Sequence, residues 1–155
     1  MKIEEVSKIE NQLVSEAPAL YGEYFSHAQI GVDFMDSFIK NLKPEAAFFM
    51  VFFSQVKKHI ILALLSAVRL HHVQANFDFR YATEAGSWAA FAMAHQKTEN
   101  FADSRDDEII EPTEDHKKRM YKWLEENYPI GNESIKRFKG SINKLSKAFF
   151  KSSPF

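Results

Sequence analysis

The sequence predicts an all-α fold, a single-domain bundle of about five to six helices over residues 1–155 with a long central helical segment at about 45–96. Three observations carry that prediction. Apolar residues recur at three- and four-residue steps through most of the chain, the period of a helix with one covered face. Gly and Pro number only five each, and the prolines at 18, 44, 112 and 129 punctuate the periodic stretches. No stretch alternates apolar and polar residues as a strand does, and no unit repeats at a fixed period.

Residues 3–16 place Ile3, Val6, Ile9 and Leu13 along one line, which predicts an amphipathic helix ending before Pro18. A second helix is predicted from about Ala28 to Leu42, with Ile30, Phe34, Phe38 and Leu42 facing inward and Met35 and Ile39 beside them. Pro44 ends it and suits the first turn of the next helix. From Glu45 to about His95 there is no Pro, and no Gly before Gly86. One helix of some 50 residues would be roughly 75 Å long, more than twice the width of a small domain, so a break is predicted. Gln74–Asp78 is the expected place, because Asn and Asp side chains compete with helical hydrogen bonds.

Residues 97–112 are polar and aperiodic and read as a loop. Thr113 can cap the following helix, with Glu114 and Asp115 at the positive end of its dipole. That helix turns Met120, Trp123 and Leu124 inward and stops near Tyr128-Pro129, and Gly131-Asn132 makes the turn. A last helix carries Ile135, Phe138, Ile142, Leu145 and Phe149 in a narrow seam. The ending on Pro154-Phe155 is unusual for a finished domain and is compatible with the N-terminal part of a longer protein.

Composition narrows the function classes. With no Cys there is no disulfide, thiolate metal site or cysteine nucleophile. The N-terminus lacks an apolar signal core, so a cytoplasmic protein is expected. Ala46 to Val68 resembles a membrane span in length, but Lys57 and Lys58 sit at its centre. A central Lys costs about 2.5–3.5 kcal/mol on an insertion scale, which predicts a helix buried in protein and no membrane span. Fifteen Phe, five Tyr and two Trp supply a ring-rich core or, if some are exposed, a partner surface.

The residues that invite chemistry lie in 69–87. On one continuous helix Arg69, His72, Asn76, Arg80 and Glu84 occupy an arc of about 120°, with Thr83 and Ser87 among them. Leu62 and Leu65 precede this arc and Phe91 and Ala94 follow it, so a polar island interrupts an apolar stripe. As a ligand site it binds an anion through Arg69 and Arg80, with Glu84 as orienter or base and His72 as proton carrier; His72 and Glu84 are the catalytic candidates. The plainer reading gives the helix one wet face. His71, Gln74 and Asp78 form a second polar line opposite, and either line can face water while the other forms an internal network.

No metal ligand set of the Glu-x-x-His or His-Glu-x-x-His kind occurs, no glycine-rich phosphate loop and no Gly-x-Ser-x-Gly elbow, so neither metal nor cofactor is expected. From Lys117 onward ten Lys/Arg stand against three Glu, a net +7, and the preceding 116 residues therefore carry −8 of the overall −1. Lys136, Arg137, Lys144, Lys147 and Lys151, with Phe149 and Phe150 nearby, are candidates for contact with nucleic acid. An ordinary solvated face that balances the acidic stretch from Asp103 to Asp115 explains the same residues. The reading that takes precedence is a non-enzymatic helical scaffold working through a protein partner or self-association.

Overall fold

The computed structural model describes residues 2–40, 46–102, 104–105, 108–109 and 113–129, with single positions at 131, 133, 137 and 140. Five helices account for nearly all of them: α1 (Ile3–Tyr21), α2 (Glu23–Lys40), α3 (Ala47–Val68), α4 (His72–Ala94) and α5 (Glu114–Asn127). A 3-10 turn at Thr98–Asn100 and a two-residue antiparallel ladder, β1 (Ser104–Arg105) on β2 (Glu108–Ile109), occupy the stretch before α5. The all-α bundle follows from the residues as expected. Among the described residues the ladder is the one piece of strand, and it is too short to form a layer.

The central element is an antiparallel hairpin. Phe52 stacks on Trp88 at 5.7 Å, Val56 reaches within 3.8 Å of where a Cβ on Gly86 would lie, and His59 meets both Asp78 and Tyr81. Each step up α3 thus meets a step down α4, with Leu70 midway. The chain breaks there, at Arg69–His71, and not at Gln74–Asp78, which lies inside α4. Two helices of 22 and 23 residues packed side by side fix the turn near their midpoint, and that tertiary demand outweighs local propensity. Leu70 takes φ 64°, a left-handed conformation that costs a residue with a Cβ about 1–2 kcal/mol. Its side chain is 55 % exposed, so Leu70→Gly loses little packing. We expect this substitution to raise stability by about 1 kcal/mol, read as a higher urea midpoint at unchanged slope.

Helix α1 also differs from expectation, running through Pro18 to Tyr21. Proline removes one donor, but its fixed φ is helical, and the Pro18 carbonyl still accepts the Gly22 N–H at 3.1 Å. Gly22 turns the chain at φ 50°, where a side chain would be strained, and α2 begins at once, five residues before the expected start.

The core lies at one end of the hairpin. Phe49, Trp88, Phe91, Phe101, Met120 and Leu124 are buried together, joining α3, α4, the 3-10 turn and α5. Phe91 is fully enclosed: its ring stacks on His95 at 4.0 Å and meets Trp123, Phe101 and Trp88 edge-on at 5.5, 5.7 and 6.1 Å. Helix α5 opens as expected at Thr113, and His116 three residues on completes the cap. Its Nδ1 accepts the Thr113 backbone N–H at 3.3 Å and lies 2.7 Å from the Thr113 hydroxyl.

Helix α2 lies antiparallel on the other side of α3, with Phe38 against Phe49 and Phe53, and Lys57 paired with Asp36. The line it covers is Phe25, Ala28, Val32, Met35 and Ile39, all half-buried. The expected inward line is the open one: Ile30 and Phe34 are each 63 % exposed and Phe38 is 40 % exposed. In α1, Val6 and Leu13 are half-covered as expected, but Ile3 and Ile9 are exposed. Helix α3 is long and apolar enough, by length and composition alone, to cross a membrane. Its burial is less complete than the sequence led us to expect, since only Phe49 and Ala63 are fully covered. Ser54, Gln55 and Lys58 point outward, while Lys57 and His59 find partners on α2 and α4.

Candidate functional site

The structure distributes the polar arc of residues 69–87 over three neighbourhoods. Because the helix breaks at residues 69–71, Arg69 leaves the arc and caps the end of α3. Its Nε lies 3.8 Å from Glu10 Oε2 on α1, beyond hydrogen-bond reach, and is buried with no hydrogen-bond partner. His71 Nε2 approaches the other oxygen of the same carboxylate at 3.4 Å. One Glu on α1 thus serves two groups at the α3–α4 corner.

His72, Asn76 and Arg80 remain at one-turn spacing along one face of α4. His72 and Arg80 are exposed and Asn76 is half-buried. Further along, α5 covers the same face. Glu84 pairs with Lys117 at 3.6 Å, and Ser87 is buried with its hydroxyl donating to the Thr83 carbonyl at 3.0 Å. Thr83 in turn donates to the Phe79 carbonyl at 2.8 Å. The arrangement that catalysis by Glu84 and His72 requires, both groups turned into one enclosed space with Arg69 and Arg80, is not formed: α5 holds Glu84, and water reaches His72.

Of the second polar line only Asp78 is internal, and His71 and Gln74 are exposed. Asp78 is only 4 % exposed and sits between α3 and α4. His59 Nδ1 donates to Asp78 Oδ1 at 3.1 Å, Gln74 Nε2 donates to Oδ2 at 3.0 Å, and Tyr81 stacks on the His59 ring at 5.3 Å. Both carboxylate oxygens are therefore satisfied, which is what a buried acid needs. Sequence spacing offered both lines. Residue identity did not say which would meet α3, and His59, on another helix, carried no signal that linked it to Asp78.

Of the basic candidates near the C-terminus, Arg137 is exposed and pairs with Glu133 at 2.8 Å. Lys136, Lys144, Lys147 and Lys151 lie outside the described residues, as do Phe149 and Phe150. Among the described residues no group of three or more His, Asp or Glu side chains gathers as a metal site would.

Two hollows remain. The larger, about 460 Å³, is walled by α1, α2 and the C-terminal half of α3, with His72 at its edge. The smaller, about 310 Å³, opens between α2 and α4 above α3 and is lined by Phe34, Phe38, Phe49, Phe53, Val56, Gly86, Ala89, Ala90 and Met93, none of them polar. Helices α2 and α4 each pack on α3, and this gap between them is continuous with the open Ile30–Phe34–Phe38 line. No protein-family model matches this sequence, and no curated protein or solved structure matches it either, so any assignment of function rests on these surfaces alone.

Proposed function

We propose that the protein is a non-catalytic helical scaffold that works by contact between two copies of itself through the α2–α4 face. The observation that carries this is the open line Ile30–Phe34–Phe38 beside an uncharged hollow. With Met93, itself 64 % exposed, these side chains leave on the order of 400 Å² of apolar surface uncovered, comparable to the largest patch of a typical monomer. Three features favour a second copy over an unlike partner. The patch holds both projecting groups, Phe34 and Met93, and a recess edged by the small residues Gly86, Ala89 and Ala90. A two-fold contact needs both halves of that fit on one surface. The line runs at i, i+4 and i+8, the ridge that packs against its own copy at about −50°. No charged residue lines the hollow, so two copies meet there without like-charge contact.

Light scattering on the purified chain is expected to give a dimer that dissociates on dilution. Phe34→Glu places a carboxylate in the middle of the contact and should weaken dimerisation at least a hundredfold, with helicity by circular dichroism unchanged because Phe34 is mostly exposed already. A chain that stays monomeric at every concentration, or a dimer indifferent to Phe34→Glu, would sink this reading.

A further inference from the structure

The larger hollow differs in kind from the α2–α4 face. Three helices wall it with half-buried apolar side chains: Val14 from α1, Ala28 and Val32 from α2, and Leu64, Leu65 and Val68 from α3. Its floor follows α3 from Ile61 to Val68, two helical turns or roughly 10 Å, which an extended hydrocarbon chain spans. Two turns of the chain bound one end, since Tyr21 and Tyr24 flank Gly22, and Val68 and His72 flank the break at 69–71. A partner helix needs a groove open at both ends. A space stopped at one end suits a small molecule, and about 460 Å³ is the size of such a pocket.

The lining also says which head such a molecule carries. Among the described residues no Asp, Glu, Lys or Arg lines the hollow. Arg69 and His71, close by in the chain, face the Glu10 carboxylate instead. An acidic head therefore meets no cation in the hollow, and an ammonium meets no carboxylate. Either would give up hydration without a counter-charge. The edge offers neutral hydrogen-bonding groups: the exposed Tyr21, Tyr24 and Gln29. Gln29 spends its amide N–H on Asp33 at 2.9 Å, and its carbonyl oxygen can accept from another donor. A hydroxyl both donates to such an oxygen and accepts from a tyrosine.

We propose that this hollow binds an uncharged single-chain amphiphile of the fatty-alcohol class, its hydrocarbon chain between α2 and α3 and its hydroxyl at the Tyr21–Gln29 edge. No bond is made or broken. The site is separate from the α2–α4 face, so neither proposal depends on the other.

Decan-1-ol, decanoate and decyltrimethylammonium, each below its solubility and micelle-forming limits, make a test by calorimetric titration into the full chain. Decan-1-ol is expected to bind saturably at one per chain, at least tenfold more tightly than either ion. Ala28→Trp and Ala67→Trp fill the space from two of its walls. Each should abolish that binding while helicity and thermal midpoint are retained, and if one of them unfolds the chain the other carries the test. Equal affinity for the three heads, or tighter binding of either ion, overturns the proposal. Saturable binding that survives either substitution in a folded variant places the chain elsewhere and overturns it too, as does the absence of saturable binding. A dimer dissociated by either substitution shows a second copy in the hollow and overturns it equally.

Discussion

Phe91→Ala is expected to destabilise the fold by about 3–5 kcal/mol, the cost of truncating an enclosed aromatic. Phe91 has no exposed surface, and its ring is the meeting point of His95, Trp88, Phe101 and Trp123. Three separate stretches converge there: α4, the 3-10 turn and α5. The surroundings are large rigid rings that close poorly around a void, which places the loss toward the upper end. Chemical denaturation followed by tryptophan fluorescence reads it directly, since both Trp88 and Trp123 touch the ring. Phe34→Ala, the same change at an exposed site, should alter the stability of the monomer by less than about 0.5 kcal/mol. Comparable losses at the two positions would mean that α2 is covered in a way the described surface does not show.

The second large effect lies in the buried polar bridge between α3 and α4. Asp78→Ala removes the acceptor of two hydrogen bonds and strands the His59 imidazole, whose side chain is only 20 % exposed. The expected loss is about 2–3 kcal/mol, more than the net worth of either bond, because an orphaned buried donor keeps its full desolvation cost. Asp78→Asn retains a carbonyl toward one donor and should fall between. Replacing both partners, His59→Leu with Asp78→Leu, should recover most of the loss, since an apolar pair leaves nothing unsatisfied. A double variant as unstable as Asp78→Ala alone would show that the pair contributes packing shape rather than polar satisfaction.

These sites show where the sequence was legible. Helix count, the Thr113 start and the inward turn of Met120 and Leu124 all follow from local rules, because capping and a single strong apolar stripe leave little choice. Helix α2 has two apolar faces, and periodicity states that a face exists without saying which neighbour covers it. The stronger line, Ile30–Phe34–Phe38, is the open one. The break was misplaced for a related reason. Asn76 and Asp78 resemble helix breakers, but Asp78 spends its carboxylate on His59 and Gln74 rather than on the backbone. Leu70, which does turn the chain, carries no turn signal, since the turn is imposed by two long helices lying side by side. The polar arc failed as one site because it assumed an unbroken helix through Arg69, and because α5 claims Glu84 through Lys117.

The placement of α2 against α3 also bears on how the chain is made. Helix α2 leaves the ribosome ahead of α3, the helix that shelters Val32, Met35 and Ile39. At about 5–20 residues per second, synthesis of the stretch through Val68 takes roughly a few seconds, and for that interval both greasy sides of α2 meet water. A nascent segment so exposed is a natural client for chaperones that patrol the exit tunnel, and one of its two sides stays open even after the hairpin arrives.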